Sequence, residues 1–251
     1  MSMRRQDFRS TRPTRRVRRN CWWPSPPAGQ DGTMSHDDNS DMTDLFSKDF
    51  WDERYRSADV IWSGNPNSHL VEQAADLTPG TALDVGSGEG ADAIWLASRG
   101  WHVTGVDVSM VALDRAAARA GEAGKEVADR INWQQADLLS WDPAPLQFDL
   151  VSAQFMHLPR LLLKSLHRRL AASVRPGGTL LIVGHHPSDL HTSMGRPNLP
   201  DMFYTAEQIA ATLDPDDWQI VVTAAPERQT ADPDGRLITI RDAVMHAIRR
   251  H

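Results

Sequence analysis

The chain has 251 residues, 40% of them apolar, which is enough for one large domain with a substantial core. Its formal net charge is −6 although eight of its 27 Lys and Arg residues lie in the first 20 positions, so the remainder is strongly acidic and poorly suited to a nucleic-acid backbone. Cys21 is the only cysteine and no apolar run reaches membrane-spanning length. These features exclude an internal disulfide and a multi-cysteine metal site, and they predict a cytoplasmic protein.

Residues 1–47 mix Arg, Pro, Gly, Ser and Asp without periodicity, which is typical of a disordered, basic tail. The basic tract 15–19 is compatible with a nucleic-acid arm or a targeting segment, but the segment 22–27 that follows is not the apolar helix of a signal peptide. A further hypothesis is that translation begins at Met34 or Met42. We expect an ordered domain over 48–251.

The ordered part begins with two predicted short helices, over 50–56 and about 68–77, and then alternates strand and helix. Strands are predicted at 82–85, 102–106, 131–134, 148–153 and 179–183, and helices at 89–98, 109–121 and 160–173. Helical crossovers of this length favour a mainly parallel sheet covered on both faces. The pattern predicts a doubly wound, Rossmann-like α/β fold with seven strands in three α/β/α layers.

The C-terminal third predicts a lid, a helix and a hairpin. The segment 184–204 is long for a simple connection and is our candidate for a lid. Thr205 and Gln208 have capping-box spacing, which predicts a helix over about 205–213. Strands at 218–224 and 237–244, joined by a turn at 232–235, predict a C-terminal antiparallel hairpin.

The most informative segment is the glycine loop, Asp84-Val85-Gly86-Ser87-Gly88-Glu89-Gly90, between a predicted strand and helix. Alternate glycines let a backbone turn sharply and approach a ligand closely. Asp107 ends the next strand, where a carboxylate can bind a ribose diol, and Asp137 lies just past the third strand. Ligands of parallel sheets bind at these strand ends, so the three features predict a nucleotide-cofactor site.

Two kinds of cofactor fit the loop pattern, and the acidic residues distinguish them. The spacing Gly86-x-Gly88-x-x-Ala91 also satisfies a loose dinucleotide pattern, which leaves an NAD(P)-dependent oxidoreductase as an alternative. Asp84 and Glu89 would repel a pyrophosphate, whereas Asp84 suits a ligand with an ammonium and a sulfonium. The charge pattern therefore favours the second kind of ligand.

The glycine loop, Val106-Asp107, Ala136-Asp137 and Arg175-Pro176-Gly177-Gly178 together resemble the signature segments of class I S-adenosylmethionine-dependent methyltransferases. The segments 50–55 and 62–67 resemble the entry region of the small-molecule enzymes of the tellurite-resistance and thiopurine type. The resemblance implies that S-adenosylmethionine is the cofactor and that its contacts are Arg54, Asp84, Gly86, Ser87, Gly88, Asp107, Val108, Asp137, Leu138 and Gln154.

Methyl transfer requires an aligned acceptor and a base only where the acceptor must lose a proton. The candidate catalytic residues are His157 and His185, which follow the fourth and fifth strands; each is otherwise a hydrogen-bonded structural histidine. The segment 153–157 lacks the Asn/Asp-Pro-Pro-aromatic motif of enzymes that methylate nucleic-acid amines or glutamine amides. We therefore expect a small-molecule acceptor, with Trp51 and Trp62 lining its pocket; a non-catalytic cofactor-binding protein remains the third alternative.

Overall fold

The computed structural model describes residues 45–196 and 198–251. The predicted tail over 1–47 lies outside the described residues except for its last three positions. Within those three, Phe46 packs against the main apolar core. The first helix begins at Lys48, with the Ser47 side chain accepting a hydrogen bond from the backbone N–H of Phe50.

The strands of the described chain form one sheet with the spatial order β3-β2-β1-β4-β5-β8-β6, and β7 pairs with an extension of β8. The first five strands run parallel, and β8 runs antiparallel to its neighbours β5, β6 and β7. The strands are β1 (Thr81–Val85), β2 (His102–Asp107), β3 (Ile131–Gln135), β4 (Phe148–Gln154), β5 (Val174–His185), β6 (Trp218–Ala224), β7 (Glu227–Ala231) and β8 (Leu237–Arg249).

Helices cover both faces of this sheet. Alternate residues of β1 enter different apolar clusters, because successive side chains of a strand point to opposite faces: Leu83 belongs to one cluster and Ala82 to the other. The predicted three-layer α/β/α class is confirmed. The helices are α1 (Lys48–Arg56), α2 (Ser68–Ala74), α3 (Ala91–Ser98), α4 (Met110–Ala123), α5 (Lys125–Ala128), α6 (Arg160–Ser173) and α7 (Ala206–Ala210). None of the helices among the described residues has the length and apolar character needed to cross a bilayer.

The predicted antiparallel pairing of the C-terminal strands is confirmed, since β6 pairs with β8, but the predicted connection between them is wrong. A missed strand, β7, lies between them along the chain, so the sheet of the described residues has eight strands instead of seven. The turn at 232–235 joins β7 to β8, because Ala231 pairs with Leu237. β6 instead pairs with the distal half of β8, from Ala224 opposite Val244 to Trp218 opposite Arg249. β7 was missed because Glu-Arg-Gln-Thr-Ala has no apolar alternation to predict a strand.

Several predicted boundaries also shift. The helix predicted from residue 89 begins at Ala91, because Gly90 adopts a left-handed conformation (φ 83°) that ends the glycine loop. The helix predicted over 205–213 is shorter, although its capping box between Thr205 and Gln208 is present as predicted. β5 extends beyond its prediction at both ends and β8 continues to Arg249.

We predict that His167 of α6 makes stability sensitive to acid. The residue is 1% exposed, and neither ring nitrogen has a hydrogen-bond partner among the described residues. Burial lowers the pKa of His167 from 6.5 to about 4. Between these pH values His167 is protonated in the unfolded chain and uncharged in the folded chain, so lowering the pH destabilises the folded protein. His167→Leu should therefore gain up to about 3 kcal/mol in free energy of unfolding, relative to wild type, as the pH falls from 6.5 to about 4.

Urea denaturation across this pH range measures the difference. The control is His102→Gln, which removes an exposed imidazole from β2. Parallel stability curves for wild type and His167→Leu would contradict the prediction.

Candidate functional site

A cavity of about 580 Å³ lies at the carboxyl ends of the parallel strands. Its volume is within the range of small-molecule and cofactor sites. The glycine loop after β1 and the ends of β2 and β4 form one end of it, while His185 of β5 and Asp242 of β8 line the other. The cavity therefore spans the predicted cofactor residues and the predicted catalytic histidines.

Two glycines of the glycine loop occupy positions where a side chain would be crowded. Gly86 and Gly88 have φ values of 69° and 52°, which favour glycine. A Cβ on Gly86 would lie 2.3 Å from Met156 Sδ, and one on Gly88 would lie 3.0 Å from the Tyr55 hydroxyl. The N–H groups of Gly86 and Ser87 both donate to the carbonyl of Val106, at 2.8 and 3.0 Å, so the loop is held against β2.

Asp84 is a buried carboxylate with an unmet need for a hydrogen-bond donor. It lines the cavity at 2% exposure, and its Oδ2 has no hydrogen-bond partner within the described chain. Burial raises the pKa of Asp84 well above its usual value, and the nearby Asp92 and Asp107 carboxylates add to the effect. A bound cation or N–H donor would offset this burial cost.

Asp107 ends β2 beneath the glycine loop. Its Oδ2 accepts a hydrogen bond from Gly88 N and its Oδ1 one from Ser109 N, both at 2.9 Å. Burial raises the pKa of Asp107, and these backbone hydrogen bonds act in the opposite direction. Each carboxylate oxygen keeps accepting capacity for a further donor, as binding of a diol requires.

The other predicted cofactor residues lie around the same end, with one exception. Ser87, Val108, Asp137, Leu138 and Gln154 all line the cavity, and the Gln154 Oε1 has no hydrogen-bond partner among the described residues. Arg54 is not among the lining residues. Its guanidinium carbon lies 6.0 and 5.9 Å from the ring centroids of Trp51 and Trp62. Both tryptophans line the cavity, and Trp62 lies beside Gly88 of the glycine loop.

Glu89 anchors the N-terminal segment over the cofactor end. It is 2% exposed, and its Oε2 accepts hydrogen bonds from the backbone N–H groups of Ile61 and Trp62, each at 3.2 Å. Arg115 and Arg119 of α4 form ion pairs with it at 3.0 and 3.7 Å. Sequence reasoning used Glu89 only as an argument against phosphate, because its partners come from distant parts of the chain.

The opposite end of the cavity is built from stacked rings. His157 and His185 have ring centroids 4.8 Å apart with an interplanar angle of 13°, and the Phe155 ring lies 4.7 Å from that of His185. Phe155 has a φ of 54°, which is unusual for a bulky residue and marks a strained turn directly after β4. The structure thus brings both predicted catalytic histidines together.

Both histidines are uncharged at neutral pH. Burial lowers the pKa of His157 well below 6.5, and the adjacent His185 lowers it further. Burial likewise lowers the pKa of His185 to about 4. His157 Nδ1 lies 2.9 Å from the Met202 carbonyl, which assigns the ring proton to that nitrogen.

Four charged residues at this end were not predicted from the sequence. Asp242 and Arg228 come from β8 and β7, while Asp189 and Arg196 come from the predicted lid segment. Asp242 stands directly opposite His185 in the antiparallel β5–β8 ladder, which places both side chains on one face. Strand register decides this pairing, and no local sequence signal reports it.

Residues 82–178 match the model of a family described as a methyltransferase domain. The protein named "Probable thiol methyltransferase 2" of Arabidopsis thaliana is 31% identical over 40% of this chain and 45% of its own. The protein named "Ribosomal RNA small subunit methyltransferase C" of Alcanivorax borkumensis is 32% identical over 43% of this chain and 33% of its own. The chain spans 45% to 61% of the first curated relatives it matches.

The fold is also similar to a solved structure of the glycopeptide N-methyltransferase MtfA complexed with S-adenosylmethionine. The TM-score is 0.56 at 15% identity, over 74% of this chain and 88% of that chain. The family match confirms a methyltransferase domain over residues 82–178, and the solved structure confirms the predicted Rossmann-like fold. Both support S-adenosylmethionine as the cofactor. The similar proteins are named for different acceptors, so the comparisons do not select an acceptor for this chain.

We predict that Glu89→Gln loosens the segment that covers the cofactor end. The variant leaves two arginines beside an uncharged amide and weakens the hydrogen bonds from Ile61 and Trp62, so it should lower the free energy of unfolding by about 3 kcal/mol. Hydrogen exchange at the Ile61 and Trp62 amides should accelerate. Glu122→Gln, at an exposed position of α4, is the control. Unchanged exchange at both amides would show that Glu89 does not anchor this segment.

Proposed function

We propose that this chain, which carries a methyltransferase domain over residues 82–178, is an S-adenosylmethionine-dependent methyltransferase that acts on a small-molecule acceptor. Residues 48–251 act as one catalytic unit in this proposal. The observation that carries it is the buried Asp84 carboxylate, which lines the cavity with an unsatisfied Oδ2 beside the glycine loop. Such a group requires a cationic or N–H donor partner, and the ammonium of S-adenosylmethionine supplies one.

The charges around the loop disfavour the oxidoreductase alternative. Asp84, Asp92 and Asp107 all line this end of the cavity, and the pKa of each is raised by burial. A diphosphate bridge placed here would add negative charge to a low-dielectric site that already holds three carboxyl groups. The same groups favour a ligand that bears positive charge.

Each part of the cofactor has a matching group in the chain. Gly86 and Gly88 line the cavity without a side chain, which gives the backbone close access to the methionine portion. Asp107 accepts from the ribose hydroxyls. Asp137 accepts from the adenine amino group, with Val108 and Leu138 flanking the ring. The remaining proposed contacts are Ser87, Gln154 and Arg54, the last through the cofactor carboxylate.

The cofactor supplies a methyl group that its sulfonium has already activated. The chain's own task is to hold the acceptor in line and to exclude water. His157 and His185 line the acceptor end as neutral rings, and the low pKa of His185, about 4, makes it a weak general base. Their role in this proposal is to position the acceptor by hydrogen bonding and stacking.

A small molecule fits the acceptor end better than a nucleic acid. The cavity wall there includes Phe155 and the stacked histidines, and it is closed on one side by Arg228 and Ile240 of the β7–β8 hairpin. The acidic character of the chain after its first 20 residues opposes a phosphate backbone. Methyl transfer to any acceptor would also exclude the alternative of a non-catalytic cofactor-binding protein.

We predict that Asp107→Ala weakens binding of S-adenosylhomocysteine by roughly 10- to 100-fold, because the ribose loses charge-assisted hydrogen bonds. Isothermal titration calorimetry measures the affinity, and circular dichroism verifies that the variant is folded. Asp114→Ala, at an exposed position of α4, is the matched control. Tight binding of NAD without binding of S-adenosylhomocysteine would overturn the proposed function.

We predict that binding of S-adenosylhomocysteine weakens as the solution becomes acidic. The pKa of Asp84 is raised by burial, and that of the adjacent Asp92 is raised to about 6. Protonation of Asp84 removes the negative charge that the ligand ammonium needs, so affinity should fall as the pH drops below the raised pKa. Asp84→Asn should bind more weakly at neutral pH and lose most of this pH dependence. Equal slopes of affinity against pH in variant and wild type would refute the assignment of Asp84.

A further inference from the structure

The acceptor end of the cavity contains a second buried carboxylate, and one of its two oxygens lacks a hydrogen-bond donor. Asp242 is 1% exposed and lines the cavity. Its Oδ2 is fully engaged, since it accepts from Arg228 Nε at 2.6 Å and from His69 Nε2 at 3.2 Å. Its Oδ1 has no hydrogen-bond partner within the described residues. A buried oxygen in this state costs free energy unless a ligand supplies a donor.

His185 does not meet this need, although it stands opposite Asp242 in the sheet. The distance from His185 Nδ1 to Asp242 Oδ1 is 3.7 Å, beyond hydrogen-bond range. The Arg196 guanidinium lies 3.2 Å from the same nitrogen and can only donate, so Nδ1 presents its lone pair to Arg196. No proton therefore remains on Nδ1 to donate to Asp242.

The fixed charges at this end are already balanced. Asp242 pairs with Arg228 at 2.6 Å, and Asp189, which is fully buried, pairs with Arg196 at 3.4 Å. Burial raises the pKa of Asp242, but the hydrogen bonds from His69 and Arg228 and the charge of Arg228 outweigh burial and hold that pKa below its usual range. Asp242 is thus an ionised hydrogen-bond acceptor and a poor proton acceptor.

We propose that Asp242 Oδ1 binds the methyl acceptor by accepting a hydrogen bond from it, and that the acceptor is an uncharged molecule with a hydroxyl or N–H group. The methyl–sulfur bond of the cofactor would break as the methyl–oxygen or methyl–nitrogen bond forms, leaving S-adenosylhomocysteine. The acceptor's proton would leave along its hydrogen bond to Asp242 and pass on to water, so no strong base is needed. A cationic acceptor would add an unbalanced buried charge to a neutral cluster. An anionic acceptor such as a thiolate would face the unsatisfied carboxylate oxygen directly. The stacked rings of His157 and His185 line the cavity near this oxygen, and aromatic walls suit a planar acceptor.

This inference rests on the proposed function, and matched probes test it. Phenols and thiophenols share a planar skeleton, but at mildly alkaline pH phenols are neutral donors and thiophenols are anions. Their dissociation constants are measured by ligand-observed NMR with protein saturated with S-adenosylhomocysteine, and methyl transfer is followed with labelled S-adenosylmethionine. Wild type should bind phenols more tightly than the matching thiophenols and should methylate the hydroxyl.

Asp242→Asn should weaken phenol binding roughly 10- to 100-fold while thiophenolate binding stays equal or improves. Arg228→Gln is the comparison variant, because it removes the ion pair and retains the Asp242 carboxylate. If Asp242 has a purely structural role, the two variants should lose equal amounts of phenol affinity. If Asp242 binds the acceptor, Asp242→Asn should lose more phenol affinity than Arg228→Gln. The affinity for S-adenosylhomocysteine verifies that each variant keeps an intact cofactor end.

Three outcomes would overturn the proposal: tighter binding of thiophenolates than of phenols by wild type, no binding of any phenol, or equal losses in both variants. The first two need no variant, so the proposal stays falsifiable if Asp242→Asn does not fold. If the proposed function itself is wrong, the result is different, because wild type would then not bind S-adenosylhomocysteine at all.

Discussion

Burial of carboxylates at the carboxyl edge of the sheet is the constraint on which the rest of this structure depends. Glu89 is stabilised by two arginines and two backbone amides, and Asp107 by two backbone amides. Asp84 and Asp242 each keep one oxygen without a hydrogen-bond partner among the described residues. The first two carboxylates therefore organise the chain, and the last two indicate where ligand donors are needed.

The positions of the two unsatisfied oxygens divide the cavity into functional halves. Asp84 lies beside the glycine loop and lines one end of the cavity. Asp242 lies across from it on β8, next to the neutral histidine stack. In the proposed function, methyl transfer needs two ligands held in line, and Asp84 and Asp242 would each bind one of them through its unsatisfied oxygen.

Charge compensation also explains why the acceptor end is built from parts far apart in the chain. Its hydrogen-bonding and charged groups come from α2, the segment after β5, β7 and β8. The β7–β8 hairpin extends beyond the part of β8 that pairs with β5. Its residues therefore line the cavity in addition to extending the sheet. This end of the cavity is thus a product of the C-terminal topology.

The local sequence was sufficient to predict that the glycine loop, Asp84 and Asp107 come together at one end of a cavity. These residues lie within 24 positions, and their placement follows from strand ends and turn geometry that short-range patterns encode. Only the tertiary structure decided the acceptor half, because Asp242 meets His185 through antiparallel register and Arg228 belongs to a strand without apolar alternation. Hydrophobic periodicity identifies elements, but it carries no information about which polar side chains a long-range strand pairing brings together.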